Sequence, residues 1–385
     1  MSKKIIIVGG GPVGLISAAF MGINGFEVVL LESKPKNFNY QDSKALALSN
    51  SSAFILNRLK VWNVLKKNLI DIHEIHVSQK NSFGRTLLRS QDYEEDALGY
   101  IVSYSDLMSA IKARIATIPS VKILFNSEAK SLEEVNLKKS IQFQVKNVKK
   151  TLPYDLLVLA DGGHSNIDGL NIEREEKQLD HTALVAPVRT DKAHKGRAYE
   201  RFTSQGPIAL LPNKNDTYTL VWTGPENTIN ALLKLDDHTL LQRLQENFGS
   251  RAGTFTKISS RNTFPLRSSR LLNIINPDVI LIGNASQVMH PVAGQGLNVG
   301  IREAFALSTF IKGLSVKSIE SNIAAEFNQL RHNKAADIMN ITDHLATFFS
   351  NDLVGVRRLR GLSLTLLDCI SPLKKRFVQK MSYGE

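Results

Sequence analysis

Cysteine is almost absent: Cys369 is the sole one in 385 residues. That excludes an internal disulfide framework and a cysteine-rich metal site, and no metal is expected. Cys369 itself reads as a small buried apolar group. No stretch approaches the ~18 consecutive apolar residues that cross a bilayer. The first residues lack a charged n-region followed by an apolar h-region, because the apolar run at Ile5–Val8 goes straight into glycines. A cytoplasmic protein is the expectation. No repeat or low-complexity tract interrupts the chain, and 43% hydrophobic with 22% charged residues is the balance of a globular protein with an ample core.

The net charge is +12, yet no basic stripe with interleaved aromatics suggests a nucleic-acid partner. Part of the excess sits in 354–385, where Arg357, Arg358, Arg360, Lys374, Lys375, Arg376 and Lys380 outnumber Asp368 and Glu385. Leu362–Ile370 lies between the two basic clusters. One reading is a basic amphipathic helix pair resting on an anionic membrane, each cation contributing about 1 kcal/mol there. The other is a pair of core-packed helices with solvated charges.

Three glycine-bearing turns carry the chemistry. The first follows an apolar strand at Ile5–Val8. Gly9-x-Gly11-x-x-Gly14, with Pro12 inside it, opens a small-residue helix at Val13–Ile23, and a second strand, Glu27–Leu31, ends at Glu32 and Ser33. Gly9 suits the tight turn, Gly11 a close approach to a pyrophosphate, and Gly14 helix–strand packing. Glu32, roughly 20 residues on, suits an adenosine ribose and repels a 2′-phosphate. The second turn, Asp161-Gly162-Gly163-His164-Ser165, follows the strand Leu156–Leu159; taken alone it is an ordinary Asp-Gly turn. In the third, the strand Val279–Ile282 runs through Gly283-Asn284 and His290-Pro291 to Gly294-Gln295-Gly296-Leu297-Asn298, with a helix opening at about Leu297. The backbone N–H groups of Gly294, Gln295 and Gly296, with the positive end of that helix, suit an anion such as a reduced flavin ring.

These three turns, in this order, resemble the signatures of the class A flavoprotein monooxygenases, the FAD-dependent aromatic hydroxylases. Within that class the chain is most similar to the ubiquinone-biosynthesis hydroxylases, nearest their 2-polyprenyl-6-methoxyphenol branch. Gly196–Pro212 and the late Gly283–Asn298 stretch carry the finer likeness. Four positions depart from the class pattern: Asn284 stands where Asp is usual, Asp168 and Tyr104 stand where Arg is usual, and Lys44 replaces an Arg. Asn284 is a feature of the branch, and Lys44 keeps the charge without the planar fork.

The resemblance implies an α/β fold: a Rossmann-like FAD domain with an inserted, mainly antiparallel substrate sheet and C-terminal helices. Alternation of strands and helices places the FAD domain at 1–71, 98–174 and 266–345, the substrate sheet at 72–97 and 175–265, and basic helices at 346–385. Individual elements are expected at Asp106–Ile118 (helix), Val121–Phe125, Ala183–Val188, Ala198–Phe202, Ile208–Leu211 and Thr217–Trp222 (strands).

Also by resemblance, NADH or NADPH reduces the flavin, O2 yields a flavin C4a-hydroperoxide, and an oxygen atom passes to a polyprenylated phenol. The cofactor contacts implied are Gly9, Gly11, Pro12, Gly14, Glu32, Ser33, Lys44, Ala129, Asp161, Gly162, Asn284, Pro291, Gly294, Gln295, Gly296, Leu297 and Asn298. Phe202, Leu210 and Trp222 are expected to form an apolar ceiling that excludes water. Pro291 would border the ring, and His290 is the candidate acid or base, with a structural hydrogen-bonding role as its plainer alternative. Such a protein would take its greasy substrate from a membrane or from other ubiquinone-pathway proteins in a complex. Three related readings compete: a flavin halogenase, which would normally show a Trp-x-Trp pair that the distant Trp62 and Trp222 do not form; a polyprenyl reductase; and a non-catalytic FAD-binding scaffold. A plain NAD-dependent dehydrogenase leaves the late glycine turn unexplained.

Overall fold

The computed structural model describes residues 3–38, 45–82, 84–135, 138–164, 166–274, 276–288, 295–313, 323–331 and 371–383. At its centre is a five-stranded parallel sheet in the order Val279–Leu281, Leu156–Leu159, Lys4–Val8, Glu27–Glu32, Val121–Phe125. Successive strand residues point to opposite faces, and both faces are covered, so these strands are apolar apart from Lys4, Glu27 and Glu32 at their ends and Lys122 in the edge strand. Ile5, Ile7, Val28 and Leu30 pack with the helices Pro12–Ile23, Tyr104–Ile115 and Gln295–Gly313. Ile6, Val8, Val29 and Leu31 pack instead with Ala129, Ile141 and Phe143 of a three-stranded antiparallel sheet spanning Ser127–Pro153.

The second large sheet has nine strands. Its main path is Gln287–Val288, Asn262–Ile274, Ile172–Thr190, Thr217–Pro225, Gly206–Asn213, Arg197–Thr203, Glu74–Gln79 and Arg85–Arg89, and Phe255–Ile258 pairs alongside Ile172–Thr190. All these pairings are antiparallel except that of Arg197–Thr203 with Glu74–Gln79. The strand Ile172–Thr190 is longer than the expected Ala183–Val188. Together with Asn262–Ile274 and Gln287–Val288 it carries this sheet directly into the late glycine motif.

Two helices that sequence periodicity did not assign, Glu226–Leu233 and Asp237–Phe248, close one face of this sheet. Asp236 caps the second by accepting a hydrogen bond from the Thr239 N–H at 3.0 Å. Beneath them Leu184, Tyr199, Ile208, Leu210, Tyr218, Leu220 and Trp222 form one buried cluster with Ile229, Leu240, Leu244 and Phe248. Leu210 and Trp222 therefore belong to the core under the helices, and the expected ceiling over the flavin must come from the opposite face of the sheet. Phe202, an odd number of residues from Tyr199, lies on that opposite face.

A small sheet of Ala45–Leu48, Gly99–Ser103 and Ile70–Ile72 covers one end of the opposite face. Ala45, Ala47 and Ile101 join Ala198 and Leu211 of the large sheet in an apolar cluster that also takes in Val378. Val378 lies on the helix Ser371–Tyr383, whose Lys375 and Arg376 are exposed. The rest of the expected basic C-terminal segment, 354–370, lies outside the described residues.

Candidate FAD site and the adjoining sheet face

The three turns converge. Gly9 takes φ +105°, and a side chain there would collide with the carbonyl of Ala160 at 2.6 Å, so the first turn packs directly on the start of the second. A methyl group on Gly14 would meet the carbonyl of Gly9 at 2.0 Å, the close helix–strand contact that the spacing implies. Gly11 is the opposite case, with no atom within 4 Å of a Cβ built on it. Gly11 is also the extended N-cap of Pro12–Ile23, and no side chain caps that helix and no acid occupies its first turn. An open, uncapped helix N-terminus beside a bare glycine is a cradle for a pyrophosphate.

Glu32 is buried at the end of its strand. Its Oε2 accepts the Gly10 N–H at 2.7 Å, and its Oε1 accepts the Lys34 N–H at 2.8 Å. The Ser33 hydroxyl reaches Oε1 at 3.4 Å, while the Ser33 side chain is itself exposed. The carboxylate thus braces the first turn as well as standing where a ribose would lie. Lys112, on Tyr104–Ile115, comes close enough to feel the Glu32 charge; burial lowers its pKa and Glu32 opposes that shift. No local pattern marks Lys112, because its proximity depends on how another element packs. Tyr104 opens the same helix at its first position, after the cap Ser103.

Asp161 accepts the Gly163 N–H at 3.1 Å through Oδ1, while Gly162 and Gly163 turn the chain with φ near +78° and +74°. A Cβ on Gly163 would lie 3.3 Å from the Asn284 carbonyl, so the second turn abuts the third. His164 is exposed. Asp168 is exposed too, and its backbone bridges to the neighbouring sheet at Lys130 and Leu132.

Gly283 and Gly300 both close on Val13; a Cβ on Gly300 would approach the Val13 side chain to 2.6 Å. The late helix begins at Gln295, two residues earlier than expected, with no acid in its first turn. Asn284 is exposed, and its Oδ1 would lie 3.8 Å from a Cβ on Gly296, so its amide stands at that helix end. Asn298 has a different task. Its Oδ1 accepts the Ser49 N–H at 2.8 Å and the Ser52 hydroxyl at 2.7 Å, and its Nδ2 donates to the Ala47 carbonyl at 2.9 Å. The side chain thereby ties the start of the late helix to the small sheet. Leu297 is half-buried against the helix-side core, and Ala129 is buried against the other face of the parallel sheet. Lys44, His290, Pro291 and Gly294 lie outside the described residues.

Behind the third turn is a buried charge cluster that sequence reasoning missed. Glu303 accepts the Gly283 N–H at 2.7 Å and pairs with Arg331 at 3.1 Å, and Arg331 also donates to the Ser286 hydroxyl at 2.7 Å. Burial pushes the Glu303 pKa up, and Arg331 and the Gly283 N–H pull against that shift.

An open glycine cradle, an uncapped N-terminus on Pro12–Ile23, first turns without acids on both Pro12–Ile23 and Gln295–Gly313, and a buried acid at the end of the second strand fit an FAD. Gly11 and Pro12 would hold the pyrophosphate, Glu32 the ribose, and Asn284 with Gln295–Gly296 the flavin end. The parallel sheet with its antiparallel companion is the architecture of an FAD-dependent aromatic monooxygenase. The solved p-nitrophenol 4-monooxygenase of Pseudomonas putida DLL-E4 superposes with a TM-score of 0.79 over 99% of this chain and 98% of its own, at 16% identity. Residues 2–339 match the FAD binding domain family, and the chain belongs to it. Fold, turns and family define an FAD-binding flavoprotein of the monooxygenase type. Two curated relatives are similar over nearly their whole length. Ubiquinone hydroxylase UbiL of Rhodospirillum rubrum is 27% identical over 97% of this chain and 88% of its own. The 3-demethoxyubiquinol 3-hydroxylase of Escherichia coli is 25% identical over 97% and 96%.

Proposed function

We propose that this protein hydroxylates a polyprenylated phenol in ubiquinone biosynthesis, converting 2-polyprenyl-6-methoxyphenol to 2-polyprenyl-6-methoxy-1,4-benzoquinol. The observation that carries this reading is the meeting of an FAD cradle with a broad, largely apolar sheet face roofed at one end by the small sheet. Bound FAD, reduced by NAD(P)H, supplies the activation of O2. The chain's own residues bind, orient and keep out water. The helix Gln295–Gly313, with no acid in its first turn, would set the positive end of its dipole against the negative charge of a reduced ring. Pro207, Ala209 and Val221, on the face away from the helices, give the phenol and the start of its prenyl chain an apolar surface. A dry site favours oxygen transfer over loss of peroxide.

A second reading, hydroxylation at another carbon of the same ring, has the Escherichia coli relative in its favour, since that protein is named for a different position. Among the described residues no helix is long and apolar enough to cross a membrane. We assign delivery of the prenyl substrate to peripheral contact of 354–385 with an anionic bilayer or to a complex with other ubiquinone-pathway proteins, at the cytoplasmic face. Lys375 and Arg376 are positioned outward for such contact.

Mass spectrometry of quinone-pathway lipids after deletion of the gene tests the pathway. Accumulated polyprenyl-methoxyphenol, cleared by complementation, supports the first reading. An earlier or later intermediate moves the site of attack. Unchanged ubiquinone in a cell without a redundant hydroxylase removes the pathway assignment.

A further inference from the structure

The pairings of the large sheet align Val185, Val221, Ala209, Glu200 and Val77 in one row across five strands. The row lies on the face away from the two helices, since Leu184, Leu210 and Trp222, each one residue off it, are buried beneath them. Four members are apolar and the fifth is a carboxylic acid. Among the described residues, Glu200 has no side-chain hydrogen bond and no ion pair. Its charged and aromatic neighbours in sequence point the other way. Arg201 donates to the Asn247 carbonyl at 3.1 Å and to the Ser78 hydroxyl, and Tyr199 stacks on Phe248 and donates to the Arg251 carbonyl.

The adjoining strands present no titratable side chain on the Glu200 face. They offer Ala209 and Leu211 on one side and Ile75, Val77 and Gln79 on the other, and the covering strand contributes Ala45 and Ala47. Burial, with no charged group opposing or assisting, pushes the Glu200 pKa up to about 7. A row farther along, Ala198 and Leu211 meet the small sheet, which Asn298 fastens to the start of the late helix. Glu200 therefore stands two residues along its strand from Ala198, on the same face and beside the end that the small sheet covers. A lone carboxyl on an apolar wall destabilises the fold when ionised, and among the described residues no charged group compensates it.

Building on the phenol-hydroxylase reading, we propose that Glu200 is the group that accepts the hydroxyl proton of the bound phenol. The phenol O–H bond breaks, a carboxylic O–H bond forms on Glu200, and the electron pair stays with the substrate oxygen. The resulting negative charge raises the nucleophilicity of the ring carbons ortho and para to it. An acid titrating near neutrality is matched to accepting a proton at physiological pH, where a carboxylate of ordinary pKa is a weaker base. Glu200 is then a catalytic residue of this chain that neither the glycine turns nor His290 supplies.

The test uses the FAD-loaded protein and a 2-methoxyphenol carrying a short prenyl chain. Infrared titration of wild type is expected to show a protonated carboxyl band disappearing with a midpoint near pH 7, and Glu200→Gln to lack it. Product formation by wild type should rise through the same pH. In Glu200→Gln that rise should vanish and the rate fall by about 10²-fold or more. Glu200→Asp, which keeps the acid but shortens its reach, should retain the pH dependence at a reduced rate and serves as the test should the Gln variant lose FAD. A Gln variant with wild-type rate and pH profile, or no carboxyl titrating near 7, overturns the role of Glu200 alone. Wild type that oxidises NAD(P)H without hydroxylating any phenol overturns the hydroxylase reading beneath it, whatever the infrared result.

Discussion

Arg331 and Glu303 form an ion pair, 3.1 Å apart, with side chains only 6% and 7% exposed, and the same carboxylate receives the Gly283 N–H. A residue near the end of the 323–331 helix thus fixes the backbone of the late glycine motif. Removing one partner of such a pair leaves the other charge buried and uncompensated, which costs about 3–5 kcal/mol. Arg331→Met should lower the unfolding free energy from urea denaturation by that order and reduce the FAD retained per chain. Glu303→Gln keeps an acceptor for Gly283 but leaves the Arg331 guanidinium buried and uncompensated, so it should cost comparable stability while retaining more FAD than Arg331→Met. Equal stability in wild type and Arg331→Met would remove the pair from this role.

Gly11 and Gly14 should respond differently to the same methyl group. At Gly11 the group meets nothing within 4 Å, so Gly11→Ala should keep the fold and its melting temperature without cofactor, yet lose FAD. At Gly14 it strikes the Gly9 carbonyl, so Gly14→Ala should damage the fold itself. Circular dichroism and the flavin-to-protein absorbance ratio separate the two. A yellow, fully loaded Gly11→Ala protein would sink the assignment of that loop.

The two faces of the large sheet make a matched pair of predictions. Leu210→Ala removes a fully buried core side chain and should destabilise by about 2–5 kcal/mol, with KM for the phenol unchanged. Val221→Trp, on the open face, should leave stability nearly intact and raise KM or abolish turnover. Steady-state kinetics beside urea denaturation check both; a KM change confined to Leu210→Ala would reverse the assignment of faces.

His76 is buried beneath Tyr199, and burial, with Arg251 adding to it, lowers its pKa to about 4. The unfolded chain takes up that proton near pH 6.5, so stability is full above 6.5 and falls as pH drops toward 4. The loss should be roughly 2 kcal/mol, less than the whole shift implies because solvent still screens the ring. Glu200 acts with the opposite sign: its raised pKa favours the folded state at low pH, and that contribution disappears as pH rises from 4.5 to about 7. Urea midpoints at pH 5 and pH 8 should therefore diverge less in His76→Gln at the acid end, and Glu200→Gln should be more stable than wild type at pH 8.

Local chemistry was legible in the sequence, and geometry between distant elements was not. The strand–glycine units at 5–23, 156–163 and 279–298 are short and continuous, so the packing of Gly9 and Gly14 and an expectation for Glu32 could be read from the chain alone. Ile208–Leu211 and Thr217–Trp222 were likewise legible as strands, whose alternating side chains define two faces. Which face is roofed depends on Glu226–Leu233 and Asp237–Phe248, and their signals, the Asp236 cap and the four-residue spacing of Leu240, Leu244 and Phe248, went unassigned. Leu210 and Trp222 were placed on the wrong side for that reason, and Glu200 was passed over. Asn298 shows the same limit. Its motif marked it for the cofactor, but Ser49, Ser52 and Ala47, some 250 residues earlier, occupy its side chain.

The most direct test is a reaction of the purified, FAD-loaded protein with NAD(P)H, 2-polyprenyl-6-methoxyphenol and isotopically labelled ¹⁸O₂, read by mass spectrometry. The account predicts a benzoquinol product carrying one ¹⁸O atom in its new hydroxyl group. Reductant consumed with a hydrogenated prenyl chain, or with no labelled product from any phenol, would contradict it.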